Sequence, residues 1–173
     1  IVETSRLREF QLIKAFDGIV PVPPLFWCDA EAEFLPYPAL IYGFAEGIAK
    51  PTKTRPNSSR NTTSGVGVWF PPELRSDLAR QFVDCLAKIH TRDHRDADLT
   101  AFDVPQLETT QCAEWGLNLW DRIWEEDADE EIPLLRLASG WLRRNMPKLD
   151  HHSILHCDYR TGNFLFTEHD ARI

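Results

Sequence analysis

The sequence has few cysteines and places them far apart. Cys28, Cys85, Cys112 and Cys157 form no CxxC pair, which argues against both a disulfide framework and a zinc ribbon. Basic residues are outnumbered, 19 Lys and Arg against 27 Asp and Glu, for a net charge of −8. A binder of the phosphate backbone builds its affinity from Lys and Arg, so nucleic acid is a poor partner for this chain. No basic start followed by an apolar run opens the sequence, and no apolar run approaches the length of a membrane span. The expectation is a protein of the reducing cytoplasm with no membrane role, in which the sequons at Asn57 and Asn61 are chance matches. There is no internal repeat.

What is present reads as a succession of short elements. Leu7, Phe10, Ile13 and Phe16, with Thr4 and Ser5 ahead and Gly18 behind, predict an amphipathic helix. Pro21, Pro23 and Pro24 then forbid helix by removing donors and fixing φ. The runs PLFWCD and PALIYGF, separated by AEAEFLPY, predict an antiparallel hairpin. Residues 50–65 are basic and almost free of apolar side chains, a linker or mobile loop. Helices follow. One covers 72–90, opened by proline and carrying Leu74, Leu78, Phe82, Leu86 and Ile89 at helical spacing. A second covers 111–126, with Trp115, Leu119 and Ile123 on one face and Trp120 and Trp124 beside them. A third starts near Pro133 and uses Leu134, Leu135, Leu137, Trp141 and Leu142. The tryptophans read as core. The class is α+β, a small strand-containing part ahead of a helical one.

The chemistry concentrates in ILHCDYRTGNFLF, residues 154–166. Its Thr-Gly pair breaks helix and strand alike, so Asp158 and Asn163 sit on a loop between apolar flanks, with FLF as a short strand after them. Phosphoryl transfer wants such a pair. A carboxylate accepts or orients the proton of the attacking hydroxyl, and a nearby oxygen ligand holds Mg²⁺ on the nucleotide phosphates.

HCDYRTGNFL resembles the HxDxxxxN catalytic loop of protein-kinase-like enzymes, and more closely the HGDxxxGNxL form of the aminoglycoside phosphotransferase and choline kinase superfamily. LAKIH at 86–90 is similar to a helix end that these small-molecule kinases carry ahead of the loop. LREF, VPVPPLFWCD and PALIYGFAEG resemble their helix C, the following turn and the strands into the hinge. The resemblance covers nearly the whole chain in the right order. It implies a protein-kinase-like fold: 1–47 as the remainder of an N-lobe (helix C, hairpin, hinge), 48–70 as a polar linker, and 71–173 as a mostly helical C-lobe.

It also implies roles. Asp158 would be the catalytic base and Asn163 the Mg²⁺ ligand. Arg160 would meet the γ-phosphate, a task that suits a bidentate guanidinium. His156 would support the loop through a ring hydrogen bond to backbone. Leu165 would floor the adenine, and the backbone of Ile41, Tyr42, Gly43 and Phe44 would bind its edge. Glu9 matches the helix C glutamate that pairs with a phosphate-binding lysine. The cofactors implied are ATP and Mg²⁺, and the partner a small molecule bearing a hydroxyl.

Three departures stand out. Cys157 occupies the family's usual glycine position. Only eight residues precede Glu9, with neither a glycine-containing phosphate loop nor a strand lysine among them, and GVG at 65–67 comes too late in the order to replace that loop. The second metal-binding Asp would lie beyond Ile173, since Asp170 is too close to Asn163. The expectation is a segment cut at both ends, a poor catalyst by itself because positioning and metal electrostatics supply most of the rate.

The acceptor stays open at this level. The acidic run EEDADEE at 125–131 suits a cationic aminoglycoside, whereas DYR resembles relatives that are fused to or work beside acyl-CoA dehydrogenases and act on hydroxyacyl-CoA. Two other readings remain: a non-catalytic kinase-fold binding module, and a zinc site built from His151, His152, His156 and Cys157.

Overall fold

The computed structural model describes residues 5–52, 66 and 70–173. The basic linker read at 50–65, and the flanks of GVG, fall largely outside these residues. Among them, the elements are α1 (Arg6–Phe16), β1 (Leu25–Asp29), β2 (Ala39–Tyr42), α2 (Pro72–Thr91), a 3₁₀ turn (His94–Asp96), α3 (Gln111–Asp127) and α4 (Pro133–Arg144). This is the α+β mixture expected, with all four helices and the hairpin at their predicted places. No described helix is long and apolar enough to cross a membrane.

Local chemistry accounts for the boundaries. Gly18, just past α1, adopts φ +73, a left-handed stop that glycine takes without a Cβ penalty. Pro72 opens α2 at a position whose N–H would have no helical partner. β1 and β2 pair antiparallel, Trp27 opposite Ile41 and Asp29 opposite Ala39, with an irregularity between Leu25 and Trp27. The turn between them is organised by Asp29, a buried carboxylate that accepts from the backbone N–H of Glu33 (2.8 Å), Phe34 (3.0 Å) and Leu35 (2.9 Å). Burial pushes its pKa up, but the three N–H bonds outweigh it and hold the carboxyl below its ordinary range.

The chain packs as two units. One comprises Arg6–Leu99 and Ser153–Ile173, the other chiefly Thr100–His152. Within the first unit α2 shares a core with α1: Ala15 and Phe16 cluster with Ile89, joined by Val20, Val22, Ile154 and Tyr159. A second cluster joins Phe70, Leu74 and Leu78 to Phe166 and Ala171. The first unit thus holds the hairpin, α2 and the segment 154–166 together.

The second unit departs from expectation. α3 and α4 have no buried residue, and Trp120 is 63% and Trp141 58% exposed. Helical spacing gathers the tryptophans on faces, as read, but those faces are not core. The helices are tied by polar contacts instead: Arg143 donates to Asp121 at 2.6 Å and to Asn118 at 2.9 Å, and Ser139 to Asp121 at 2.9 Å. The apolar stretch Phe164–Phe166 forms no regular strand. Phe166 makes a single antiparallel bridge with Ile48, and Thr167 another with Arg172.

Candidate active site

The loop after Ile154 is shaped by two positive-φ residues. At Cys157, φ is +65, and Asp158 N–H closes a three-residue turn on His156 O at 2.8 Å. A turn of this kind is sparsely populated for residues with a Cβ, which is the physical reason a glycine would suit the position. At Gly162, φ is +99, and Asn163 N–H closes a second turn on Arg160 O at 3.1 Å. Between these turns the chain doubles back, and five residues of sequence separation become direct contact.

Asn163 Nδ2 donates to Asp158 Oδ2 at 2.6 Å and to the Asp158 backbone oxygen at 2.8 Å. Arg160 Nε donates to Asp158 Oδ1 at 2.8 Å. The three residues assigned to chemistry therefore form one hydrogen-bonded group. The Asp158 side chain is 61% exposed. Arg160 first, and then Asn163, hold its carboxyl below the ordinary carboxylate range. Each carboxylate oxygen takes one of these bonds and keeps a lone pair for an incoming hydroxyl.

A hard cation fits this group. Both amide hydrogens of Asn163 are committed to Asp158, which leaves Asn163 Oδ1 without a protein donor among the described residues. A carboxamide oxygen beside a carboxylate is the donor set that Mg²⁺ takes. Zinc is served less well. Among the described residues no group of three or more His, Cys, Asp or Glu is placed to hold a metal ion, so the set His151, His152, His156 and Cys157 forms no such site. His152 Nε2 instead lies 2.7 Å from Pro105 O.

A cavity of about 670 Å³ opens beside the loop, within the range of small-molecule sites. Asn163 and Leu165 line it, as do Glu9 and Phe16 from α1 and Ala45 and Glu46 beyond β2. Glu9 reaches the same cavity and pairs with Arg6 at 2.6 Å within its own helix. Ile41 and Tyr42 belong to β2, and Gly43 N–H is spent on Pro24 O at 2.7 Å. The wall segment is therefore 45–46 rather than 41–44, because the hairpin's own bonds run through Gly43. Phe44 is almost fully exposed and does not line the cavity.

His156 is corrected in one respect. Its ring makes no hydrogen bond among the described residues. Support comes from its carbonyl, which accepts from Asp158, and from its ring edge against Tyr159 at 5.0 Å. The packing of Tyr159 went unread in the sequence, although an aromatic on a loop has to pack somewhere. It stacks on Phe82 at 4.1 Å and donates its hydroxyl to Phe82 O at 2.7 Å. Gly47 was missed as well. Its φ of +139 and its approach to Leu165 and Phe166 bring Ile48 into register with Phe166.

The family model for phosphotransferase enzymes matches residues 3–173. The chain belongs to this phosphotransferase family. Its fold is accordingly the protein-kinase-like one in part, with α1, the hairpin and the loop at 154–166 as its recognisable pieces. The chain is similar to acyl-CoA dehydrogenase family member 11 of Pongo abelii, 25% identical over 96% of the chain, and of Homo sapiens, 24% over 96%. Acyl-CoA dehydrogenase family member 10 of Mus musculus is 20% identical over 96%. The chain spans 20% of the length of the first two relatives and 14% of the third. Within the phosphotransferase family, the group Asp158, Arg160 and Asn163 is where this chain's acid, cation and metal-type oxygen come together.

Proposed function

We propose that the protein carrying this chain transfers the γ-phosphoryl group of ATP, with Mg²⁺, to a hydroxyl of a small molecule. The observation that carries the reading is the mutual bonding of Asp158, Arg160 and Asn163 on one loop beside a cavity bounded by Leu165 and Ala45. Adenine would lie over Leu165 with its edge toward the backbone of Ala45 and Glu46. Asp158 orients the acceptor hydroxyl and takes its proton on a free lone pair. Arg160 holds Asp158 through Nε, and its terminal nitrogens would meet the transferred phosphoryl group. Asn163 would offer Oδ1 to the ion. Mg²⁺, when bound, supplies charge neutralisation on the phosphate oxygens. Glu9 would pair with a lysine.

Two features bear on the acceptor. The relatives named above carry acyl-CoA dehydrogenase in their names, and the loop has the DYR that resembles them. These favour a hydroxyacyl-CoA over an aminoglycoside. The test is to incubate the full-length protein with Mg²⁺ and γ-labelled ATP together with 3- and 4-hydroxyacyl-CoA, choline and an aminoglycoside. Label on the hydroxyacyl-CoA is the expected result. Label on another alcohol changes the acceptor, and ATP binding without transfer to any of them favours a non-catalytic kinase-fold module.

A further inference from the structure

The loop's polar residues bond chiefly to one another. Arg160 and Asn163 both close on Asp158, so these bonds fix the three side chains as a group without fixing that group to a helix. Of Asp158, Tyr159 and Arg160, the residue that reaches α2 is Tyr159. Its ring lies 4.1 Å from that of Phe82 and its hydroxyl donates to the Phe82 carbonyl at 2.7 Å. That carbonyl belongs to the interior of a 20-residue helix, where one lone pair already serves the helical bond and the second is open to a side chain. Burial pushes the phenol up to about 12, so the hydroxyl stays protonated and a donor at any working pH.

The neighbouring contacts repeat the theme. Ser153 donates its hydroxyl to His90 O at 2.6 Å, at the carboxy-terminal end of α2. Gln81, next to Phe82, donates to Ala171 O at 2.6 Å and accepts from Ile173 N–H at 3.0 Å. The segment from Ser153 to Ile173 is thus fastened to one helix at three places. Within the catalytic loop Tyr159 gives a side-chain hydrogen bond to α2 from between the acid and the guanidinium, and Phe164 adds a ring contact to Phe82 at 5.2 Å. The turn at Cys157 ahead of Tyr159 is an unfavourable left-handed one that needs holding.

We infer that Tyr159 is a positioning residue: its hydroxyl bond to the Phe82 carbonyl sets the direction of the Asp158 carboxylate toward the acceptor. The inference rests on the phosphotransferase reading of Asp158. Tyr159 is among the residues lining the cavity; the positioning role assigned to its hydroxyl is exerted through the loop.

Tyr159→Phe in the full-length protein removes the hydroxyl and keeps the ring on Phe82. With the acceptor alcohol and Mg·ATP, kcat should fall about tenfold, since small misplacements of a reacting group carry penalties of this order, while the KM for ATP stays within about twofold. Hydrogen exchange should quicken in the peptide covering 155–163 and remain unchanged in 72–91. Unchanged kcat overturns the proposal. So does an equal loss in nucleotide affinity, or faster exchange throughout α2, because either marks a merely structural tyrosine. If the unsubstituted protein also transfers no phosphate, it is the phosphotransferase reading that fails. Exchange at 155–163 then decides by itself whether the hydroxyl holds the loop, and no quickening there overturns that too.

Discussion

Arg160 donates through Nε to Oδ1 of Asp158 at 2.8 Å and through Nη1 to Thr161 O at 3.5 Å, which leaves Nη2 without a protein acceptor among the described residues, so one side chain can hold the acid and meet an anion together. A lysine ammonium is a single point and cannot divide its role in this way. The same contact is the leading cause of the low Asp158 pKa.

A pH dependence follows from that cause. With Asp158 proposed to act as the carboxylate, a lowered pKa extends activity toward acid. In Arg160→Ala the pKa returns toward the ordinary aspartate range near 4, and the acid limb of kcat/KM moves to higher pH. Arg160→Lys should move it less and still lower kcat, because the bridging geometry is lost. A pH–rate profile over the acid range measures both; an acid limb that stays in place, or moves downward, contradicts the role given to Arg160.

Cys157 holds φ +65 in a position that a Cβ disfavours. Cys157→Gly should therefore leave the melting temperature unchanged or raise it, with a gain up to about 1 kcal/mol offset by the greater freedom of glycine in the unfolded chain. Cys157→Val, branched at Cβ, should lose about 1–2 kcal/mol. Denaturant midpoints of the two variants make the comparison. A valine variant as stable as the glycine one would show that the turn is not left-handed.

Gly47 carries φ +139, and a Cβ there would meet Leu165 Cβ and Phe166 O at 3.1 Å and Phe166 N at 3.2 Å. Two of these are backbone atoms engaged in the bridge to Ile48, with little room to shift. Gly47→Ala should cost about 1–3 kcal/mol and displace Leu165, weakening nucleotide binding with it. Unfolding and ATP titration of the same variant test both parts. Wild-type values in both would remove Gly47 from the cavity's construction.

Much of this was legible from residues alone, and the parts that were not have a common cause. The periodicity of Leu74, Leu78 and Ile89 placed α2, and Gly18 ended the first helix as read. HxDxxxxN placed the acid and the amide together because their contact is made by a local turn. Tyr159 pairs with a carbonyl 77 residues earlier, and no local pattern encodes which carbonyl it finds. The shift of the cavity wall from 41–44 to Ala45 and Glu46 depended on where hairpin bonding stops, which is Gly43 N–H on Pro24 O. Trp115, Trp120 and Trp141 show the limit of spacing arguments. A period of 3.6 says that side chains share a face, and is silent on whether anything covers it.

The most direct measurement of the central claim is phosphoryl transfer by Asp158→Ala in the full-length protein, read beside ATP binding by calorimetry. The account predicts turnover lost by at least about a hundredfold with nucleotide affinity close to that of the unsubstituted protein. Transfer at a near-normal rate would contradict it.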